Sequence, residues 1–391
     1  MKYNFDKVID RSGTSAEKVE GLKHIWGRTD LIPLWVADMD FATAPFVTDA
    51  IRKRCENEVL GYTGKPDSYY NAIINWVKQR YDLIVTKEVI NFVPGIVPGI
   101  GMAMNCFTQK GDKVMIQPPV YHPFAWVTTR KERTLVINPL RWENGMYRMD
   151  LDAFREQIKG CKLFILCNPH NPGGVVWTEA ELRAIADICY DEKVLVFSDE
   201  IHADLTLPPH THRPFATVSE KARMNSVTFM SPSKAFNMPG LSASHALIFN
   251  EDLRKRFRIY MDAGELDMGH VFAFLSVEAA YSHGTEWRDQ CLAYIQGNID
   301  FVDEFLKKHA PKIKAIRPEA SYLVWLDCRE LELSQKDLNE FFVDKAHLAL
   351  NDGEMFGKEG IGFMRLNVAS PRCIIEKAMK QLADAYQLYI K

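Results

Sequence analysis

Lys234 lies among small hydroxylated residues in the segment SPSKAFNMPG at residues 231–240. The hydroxyl groups of Ser231 and Ser233, with nearby backbone N–H groups, can bind an oxyanion such as phosphate. A buried lysine can lose its proton and attack a carbonyl group to form a Schiff base. Taken alone, the alternative is a solvated loop lysine without a chemical role.

A second reactive segment is SDEIHADL at residues 198–205, where an apolar run ends in Asp199 and Glu200. In open α/β sheets, ligands bind at the carboxyl ends of the strands, so a carboxylate at such an end points into the site. The alternative is a helix cap or an ordinary loop acid, and for a lone Asp after a strand this alternative is the commoner one.

A third segment, CNPHNPGG at residues 167–174, contains two Asn-Pro pairs and two glycines that impose a tight loop. The amide of Asn171 can donate a hydrogen bond to a phenolate or carboxylate oxygen. The alternative is a turn that only connects a strand to a helix beginning near Thr178.

The fourth segment, VPGIVPGIG at residues 93–101, is a glycine-rich turn from a strand to a helix, and its exposed N–H groups suit a phosphate. It matches neither GxGxxG nor a Walker loop, so it does not indicate nucleotide binding. Together the four segments follow the order that a pyridoxal 5′-phosphate (PLP) site requires: phosphate loop, ring-oxygen donor, ring-nitrogen acid and Schiff-base lysine. This combination is much more specific than any one segment.

From about residue 45 to 310, stretches with helical periodicity alternate with short apolar runs. These are the elements that must position the four segments, and their alternation predicts a mostly parallel α/β sheet. Several runs are apolar on both faces, as a sheet between two helix layers requires. The predicted strands are VINFV (89–93), KVMI (113–116), KLFILC (162–167), VLVFSD (194–199) and SVTFMS (226–231).

A proline-free helical tract at 271–309 leads to a second unit with the predicted order strand (321–327), helix (334–346), strand (362–368) and helix (371–386). We expect an N-terminal segment (1–45) that packs with the small domain, a large PLP-binding domain (46–285) and a small α+β C-terminal domain (286–391).

Composition excludes several classes of protein. The 391 residues are 47% hydrophobic and 25% charged, with a formal net charge of -3 and no basic run, so we expect no nucleic-acid partner. No stretch approaches the ~20 apolar residues of a membrane span, and the charged N-terminus does not resemble a signal peptide, which predicts a cytoplasmic protein without membrane contact. The eight cysteines stand singly and predict reduced, mostly core thiols. His210 and His212 lack an evident third ligand, so we expect a solvated loop there and no metal site.

The chain resembles fold type I PLP enzymes, the aspartate aminotransferase superfamily, over essentially its whole length. It is most similar to the MalY/PatB branch of cystathionine β-lyases and cystalysin-like C–S lyases. The segments that carry this closer resemblance are LWVADMDF (34–41), GYTG (61–64), PPVYHPF (118–124), NPHNPGG (168–174), SDEIHADL (198–205), SPSKAFNMPG (231–240) and RLNVASPR (365–372).

The resemblance implies a role for each matching residue around the cofactor ring. Lys234 would hold PLP as a Schiff base and act as the acid and base at the substrate Cα. Asp199 would pair with the pyridine nitrogen, Asn171 would bind the ring O3′ and contact the substrate, and Tyr121 would stack on the ring. The resemblance thus implies that Lys234, Asp199 and Tyr121 are the catalytic residues. His202 would either tune O3′ or form the wall of the site.

The resemblance also implies a phosphate site and a dimer. The phosphate would lie among the backbone amides of Gly95, Ile96 and Val97 and the hydroxyl groups of Ser231 and Ser233. Tyr62 matches a tyrosine that reaches the phosphate of the neighbouring subunit, which implies a homodimer with shared sites.

On the substrate side, Arg365 matches an arginine that binds the α-carboxylate in a bidentate manner, with a surface strand arginine as the alternative. Val36 and Ala37 would line the mouth of the site. Ser242 stands where many aminotransferases carry a phosphate-binding arginine, and this departure favours the lyase branch.

The function that this resemblance implies is α,β-elimination of L-cystathionine or a similar L-cysteine conjugate to a thiol, pyruvate and ammonia. One alternative is a PLP-dependent aminotransferase, which shares the same early chemistry. Another is a PLP-binding regulatory partner whose catalysis is secondary. The intact set of Lys, Asp, Asn, Tyr and Arg argues against a pure binding role, since binding alone does not need a proton-shuttling amine.

Overall fold

The computed structural model describes residues 2–389. The α-helices in this range are α1 (Glu17–Trp26), α2 (Pro45–Cys55), α3 (Asp67–Tyr81), α4 (Ile96–Phe107), α5 (Pro123–Arg130), α6 (Leu151–Gln157), α7 (Glu179–Asp191), α8 (Glu220–Met224), α9 (Glu251–Asp262), α10 (Val271–His283), α11 (Thr285–His309), α12 (Gln335–Glu340) and α13 (Arg372–Tyr389).

The strands of the same range are β1 (Ile32–Pro33), β2 (Ile90–Val93), β3 (Lys113–Ile116), β4 (Thr134–Ile137), β5 (Arg141–Glu143), β6 (Met146–Arg148), β7 (Cys161–Cys167), β8 (Leu195–Asp199), β9 (Ser226–Met230), β10 (Ser244–Leu247), β11 (Lys314–Ile316), β12 (Leu323–Asp327), β13 (Leu348–Ala349), β14 (Asn351–Asp352) and β15 (Phe363–Asn367).

The central sheet has seven strands in the order β2-β10-β9-β8-β7-β3-β4, and the expected mostly parallel α/β architecture is confirmed. Only β10 runs against its two neighbours. Every residue of β2 and β9 is buried, because helices cover both faces of the sheet. Each large apolar side chain buried in this way contributes roughly 1.5–3 kcal/mol.

Helix α7 shows how local sequence places an element behind the site. The side chain of Thr178 accepts a hydrogen bond from the backbone N–H of Glu181, and the Glu181 carboxylate accepts one from the N–H of Thr178. This reciprocal capping box starts the helix directly after the loop that carries Asn171.

A second sheet has four strands in the order β11-β12-β15-β14, and all of its neighbours are antiparallel. The N-terminal segment reaches this half of the chain, since β1 pairs with β13 in parallel. These observations agree with the α+β unit expected from the sequence, while the domain limits at 45 and 285 stay a prediction.

The structure corrects the helical tract at 271–309, which is two helices separated at Gly284. A Cβ atom at Gly284 would overlap the Ala280 carbonyl oxygen and a ring carbon of Phe236. The chain turns there in close contact with Phe236, and that contact is not visible in the local helical pattern. The single helix expected at 334–346 is instead two elements: α12 ends at Glu340, and a π-helical turn follows at Phe341–Lys345.

Within residues 2–389, no helix combines the length and the apolar character that crossing a membrane demands.

Candidate active site

The carboxyl ends of the parallel strands surround a cavity of about 210 Å³. The register places the ends of β7 and β8 side by side, with Cys167 opposite Asp199 and Asp199 opposite Phe229 of β9. Loops that leave neighbouring parallel strands therefore converge at this edge. The candidate residues that line the cavity are Ala37, Gly95, Ile96, Val97, Tyr121, Asn171, Asp199, His202, Ser233 and Lys234.

Helix α4 points its N-terminus into the cavity. Gly95 is its N-cap, with φ +132°, and no side chain caps this end. The first intrahelical bond runs from Gly99 N–H to the Gly95 carbonyl, and Pro98 has no N–H. The N–H groups that stay outside the helical pattern are thus those of Gly95, Ile96 and Val97, and such a group of donors suits an anion.

Lys234 projects into the cavity from the loop after β9. Its Nζ donates a hydrogen bond to the Ala37 carbonyl at 2.5 Å. Burial lowers its pKa to about 8; Arg365 acts in the same direction, whereas Asp38 and Asp199 oppose the shift. The amine is therefore unprotonated in about a tenth of the molecules at pH 7.

Asp199 is buried at the end of β8, and its Oδ1 accepts a hydrogen bond from Ile201 N–H at 3.1 Å. Burial raises the pKa of its carboxyl group to about 7, and the neighbouring Glu200 adds to this rise. The carboxylate thus favours a positively charged partner in the cavity.

Arg365 is buried and does not line the cavity itself, but it contacts Asn171, which does. Its guanidinium donates to Asn171 Oδ1 at 3.0 Å, to the Trp35 carbonyl at 3.1 Å and to Asn351 Oδ1 at 2.5 Å. Since arginine can only donate, the Asn171 amide must present its oxygen to Arg365 and can present its NH₂ group to a ligand. All three acceptors are neutral, and the Nε atom has no partner within the described part of the chain.

Of the two serines before Lys234, only Ser233 lines the cavity. The Ser231 hydroxyl group contacts the Ala243 carbonyl at 2.7 Å and the Ser233 hydroxyl group at 2.9 Å, and it accepts from Ser233 N–H at 3.1 Å. Ser231 thus holds the shape of the loop, which leaves Ser233 as the better placed donor to a ligand.

Tyr121 and His202 both line the cavity. Tyr121 follows β3 and packs edge-on against Phe124. His202 is buried, its Nδ1 has no hydrogen-bond partner among residues 2–389, and burial lowers its pKa to about 3. Its ring is therefore neutral and can donate or accept one hydrogen bond, which keeps both of its expected roles open.

Val36 and Tyr62, like Ser231 and Arg365, are not among the residues that line this cavity. The Val36 carbonyl accepts a hydrogen bond from the side chain of Asn367 at 2.7 Å. Tyr62 is 97% exposed, in a surface segment that also exposes Val59 and Leu60. Within residues 2–389, the side chain of Tyr62 is not part of the cavity lining.

Several residues around the site escaped sequence reasoning. Ser244 lines the cavity beside Ser242 because β10 is antiparallel, so its start lies at the edge where its neighbours end. Asn351 meets Arg365 because the two residues are paired across β14 and β15. Asn367 could have been identified from the sequence RLN. In a strand, a residue two positions after Arg365 lies on the same face as Arg365.

The structure corrects the prediction of a solvated loop for one of the two histidines, His212. His210 is partly exposed, and its Nδ1 lies 3.7 Å from Glu319. His212 is buried, with its Nε2 2.8 Å from the carboxylate of Glu200, so it is not solvated as expected. The described residues contain no cluster of His, Cys, Asp or Glu that could hold a metal ion.

Comparisons with known proteins agree with this geometry. The sequence model of the family "Aminotransferase class I and II" matches residues 29–382. The chain is 37% identical over 384 residues to cystathionine beta-lyase PatB of Bacillus subtilis, covering 98% of this chain and 99% of PatB. It is 30% identical over 387 residues to protein MalY of Escherichia coli, covering 98% of each chain. The crystal structure of cystalysin from Treponema denticola, which contains a pyridoxal 5′-phosphate cofactor, superposes over 100% of both chains with a TM-score of 0.96 and 33% identity.

Proposed function

Because the chain belongs to the class I and II aminotransferase family, we propose that it is a PLP-dependent carbon–sulfur β-lyase. Its substrates are L-cystathionine and related L-cysteine conjugates, which it converts to a thiol, pyruvate and ammonia. The observation that carries this proposal is that Lys234 and the buried residues Asp199, Asn171 and Arg365 lie together at one edge of the sheet.

The residues of the cavity fit PLP in both their chemistry and their positions. The free N–H groups at the start of α4 suit a phosphate, and Asp199 is a buried carboxylate without a cationic partner within ion-pair distance in the described chain. Lys234 would hold the cofactor covalently. Asn171 would direct its NH₂ group to the ring oxygen, and Tyr121 and His202 would bound the ring.

The chemistry that bound PLP supplies is electron withdrawal from the substrate Cα, which makes the α proton removable and lets a thiolate leave from Cβ. Lys234 takes this proton, since burial lowers its pKa to about 8 and an unprotonated amine is accessible near neutral pH. Asp199 would accept a hydrogen bond from the N–H of the ring nitrogen and so favour its positively charged form.

Arg365 binds the α-carboxylate of the substrate. Its charge is buried against neutral acceptors and the ring of Phe356, whose centroid lies 4.8 Å away. A buried guanidinium without a carboxylate partner gains most from an anionic ligand, and its planar geometry fits a carboxylate with two hydrogen bonds. This contact fixes the orientation of the substrate Cα relative to Lys234.

The active form that we propose is a homodimer in which Tyr62 of each chain completes the neighbouring site. A tyrosine that is 97% exposed next to exposed Val59 and Leu60 supports an interface there. We also propose a cytoplasmic location, which the eight free thiols support.

Incubation of the purified protein with L-cystathionine in the absence of any keto acid tests the proposal. We expect equal amounts of pyruvate and homocysteine, and none from a Lys234→Ala variant. Amino transfer that depends on an added keto acid, without pyruvate from cystathionine, would establish the aminotransferase alternative. A protein that binds PLP at Lys234 but turns over no cysteine conjugate would favour the regulatory alternative.

A further inference from the structure

Residues 35–41 run past Lys234 without regular helix or strand structure, and we call this segment the strap. The Ala37 carbonyl, near its middle, accepts hydrogen bonds from Lys234 Nζ at 2.5 Å and from the Tyr322 hydroxyl group at 3.0 Å. The strap thus supplies the direct hydrogen-bond acceptor of the lysine.

Two buried or half-buried asparagines fix the strap on either side of this acceptor. Asn367 donates its NH₂ group to the carbonyls of Val36 and Asp38, both at 2.7 Å. Asn237, three residues after Lys234, donates to two further strap carbonyls, at 3.0 and 2.7 Å. The position of the acceptor is therefore set by side chains from both halves of the chain.

The strap is joined to the N-terminal segment by a network of four charges. Arg11 contacts Asp38 at 2.6 Å and Asp40 at 3.2 Å. Lys18 is fully buried, 2.8 Å from Asp40 and 3.6 Å from Asp38. A fully buried lysine is rare unless it is paired, so this network is a fixed part of the fold.

We propose that the strap orients the amine of Lys234 through the Ala37 carbonyl, and that Asp38, held by Arg11, is a positioning residue that acts on this lysine. The inference rests on the proposed function only in taking Lys234 as the reactive amine. It assigns the N-terminal segment a part in tuning the site, although Arg11 does not line the cavity.

The charges around Lys234 predict that substitutions of Asp38 and of Arg11 shift the pKa of Lys234 in opposite directions. The titratable groups that act on Lys234 or share its cavity are Asp38, Tyr121, Cys167, Asp199, His202, Tyr322 and Arg365. Asp38 favours the ammonium form of Lys234. Removing the charge of Asp38 therefore lowers the pKa of Lys234, whereas removing the charge of Arg11 exposes Asp38 and raises it.

The experiment measures this pKa directly on the full-length chain freed of cofactor. Acetic anhydride labels Lys234 at a series of pH values, and peptide mass spectrometry gives the labelled fraction. We expect the labelling curve to move to lower pH in Asp38→Asn and to higher pH in Arg11→Gln, each by about half a unit. The matched control is Arg28→Gln, because Arg28 is as exposed as Arg11 and also pairs with two aspartates, Asp30 and Asp344; its curve should coincide with that of the unmodified sequence.

A second pair of variants tests the strap itself. Asn367→Ser removes the two bonds to the strap, whereas Asn298→Ser removes two equivalent bonds, at 2.9 Å, to the carbonyls of Val368 and Ser370. Both asparagines are fully buried, so the two variants should lose similar stability. We expect only Asn367→Ser to speed hydrogen exchange in residues 35–41 and to lower the pKa of Lys234, since the ammonium then loses its fixed acceptor.

If the pKa of Lys234 shifted in the same direction in Asp38→Asn and Arg11→Gln, the inference would be overturned. An ion pair that only stabilises the fold gives the same effect whichever partner is substituted. Unchanged curves, or equal effects of Asn367→Ser and Asn298→Ser, would overturn it as well. None of these measurements uses turnover, so a failure of the lyase assay leaves their outcome unaffected.

Discussion

At the scale of single residues, the site depends on charges that are buried without charged partners. Arg365 donates to three neutral acceptors, and Asp199 accepts from a backbone N–H. Each therefore has a large electrostatic gain available when a ligand of opposite charge arrives. In this respect Arg365 and Asp199 differ from the surface ion pairs of the same chain, whose charges are already paired without a ligand.

The first prediction concerns Arg365→Lys. Lysine keeps the charge but cannot make the planar pair of hydrogen bonds to a carboxylate, and it also leaves Asn351 and the Trp35 carbonyl without their donor. We expect kcat/KM for L-cystathionine to fall about 100-fold, equivalent to about 2.7 kcal/mol, mainly through KM. Steady-state kinetics measures this effect. A loss confined to kcat would argue against carboxylate binding by Arg365.

The second prediction concerns Asp199→Asn. The pKa of Asp199 is raised from 3.8 to about 7, so the folded chain without cofactor binds more protons than the unfolded chain between these values and loses stability as the pH rises through them. The amide cannot ionise and avoids this loss. We expect the variant without cofactor to melt at a higher temperature than the unmodified chain at pH 8, with the difference shrinking toward pH 4.

The same substitution should nearly abolish turnover, because an amide does not hold the ring-nitrogen proton. Cofactor retention should suffer less than turnover, since the contacts of Lys234 and of the α4 N-terminus are intact. Absorption spectroscopy of the bound cofactor, together with the pyruvate assay, measures both quantities. Normal turnover in this variant would exclude the assigned role.

At the scale of secondary structure, sequence patterns predict the elements that are defined locally. Strands β3, β7, β8 and β9 agree with the predicted runs within one residue at either end, because apolar side chains fill both faces and turn residues follow. Strand β10 was missed, since its sequence SHAL includes a buried histidine and a serine and does not form an apolar run. With β10, the cavity position of Ser244 was missed too.

The contacts that could not be predicted join distant parts of the chain. The pairing of Asn351 with Arg365 follows from the register of β14 and β15, and the burial of His212 follows from its bond to Glu200. Neither partner is marked by local periodicity. The lysine, the aspartate and the glycine-rich turn were found because each directly follows a predicted strand, and that position alone determines where they converge.

The third prediction concerns Gly174, where the Asn171 loop meets the C-terminal half of the chain. Gly174 has φ +69°, and its carbonyl accepts from the N–H groups of Glu319 and Ala320. A Cβ atom there would lie 2.5 Å from the Cβ of Pro318. We expect Gly174→Ala to lower the free energy of unfolding by about 2–4 kcal/mol, from backbone strain and overpacking together.

The control for this variant is Gly145→Ala, in the turn between β5 and β6. Gly145 has φ +81°, but a Cβ atom added there would meet no other atom within 4 Å. It should lose only the strain component, about 1 kcal/mol. Urea denaturation measures both variants, and equal losses would show that the contact with Pro318 does not restrict this loop.

At the scale of the whole molecule, one chain presents a cavity that Tyr62 does not reach. The residue is 97% exposed and belongs to the continuously exposed segment 55–64. Exposed apolar side chains in such a segment suit burial against a second copy, and a twofold dimer would place two such segments symmetrically. The proposed dimer therefore predicts that the function of Tyr62 is supplied in trans.

The fourth prediction tests this with two inactive variants, Tyr62→Ala and Lys234→Ala. After the two are mixed, unfolded and refolded together, half of the dimers should be hybrids. In each hybrid, the subunit with an intact Lys234 receives an intact Tyr62 from its partner, so one of its two sites is native. We expect pyruvate formation from L-cystathionine to recover to about a quarter of the unmodified rate per chain. If Tyr62 acted within its own subunit, no hybrid site would hold both residues, and the mixture would stay at the average of the two variants.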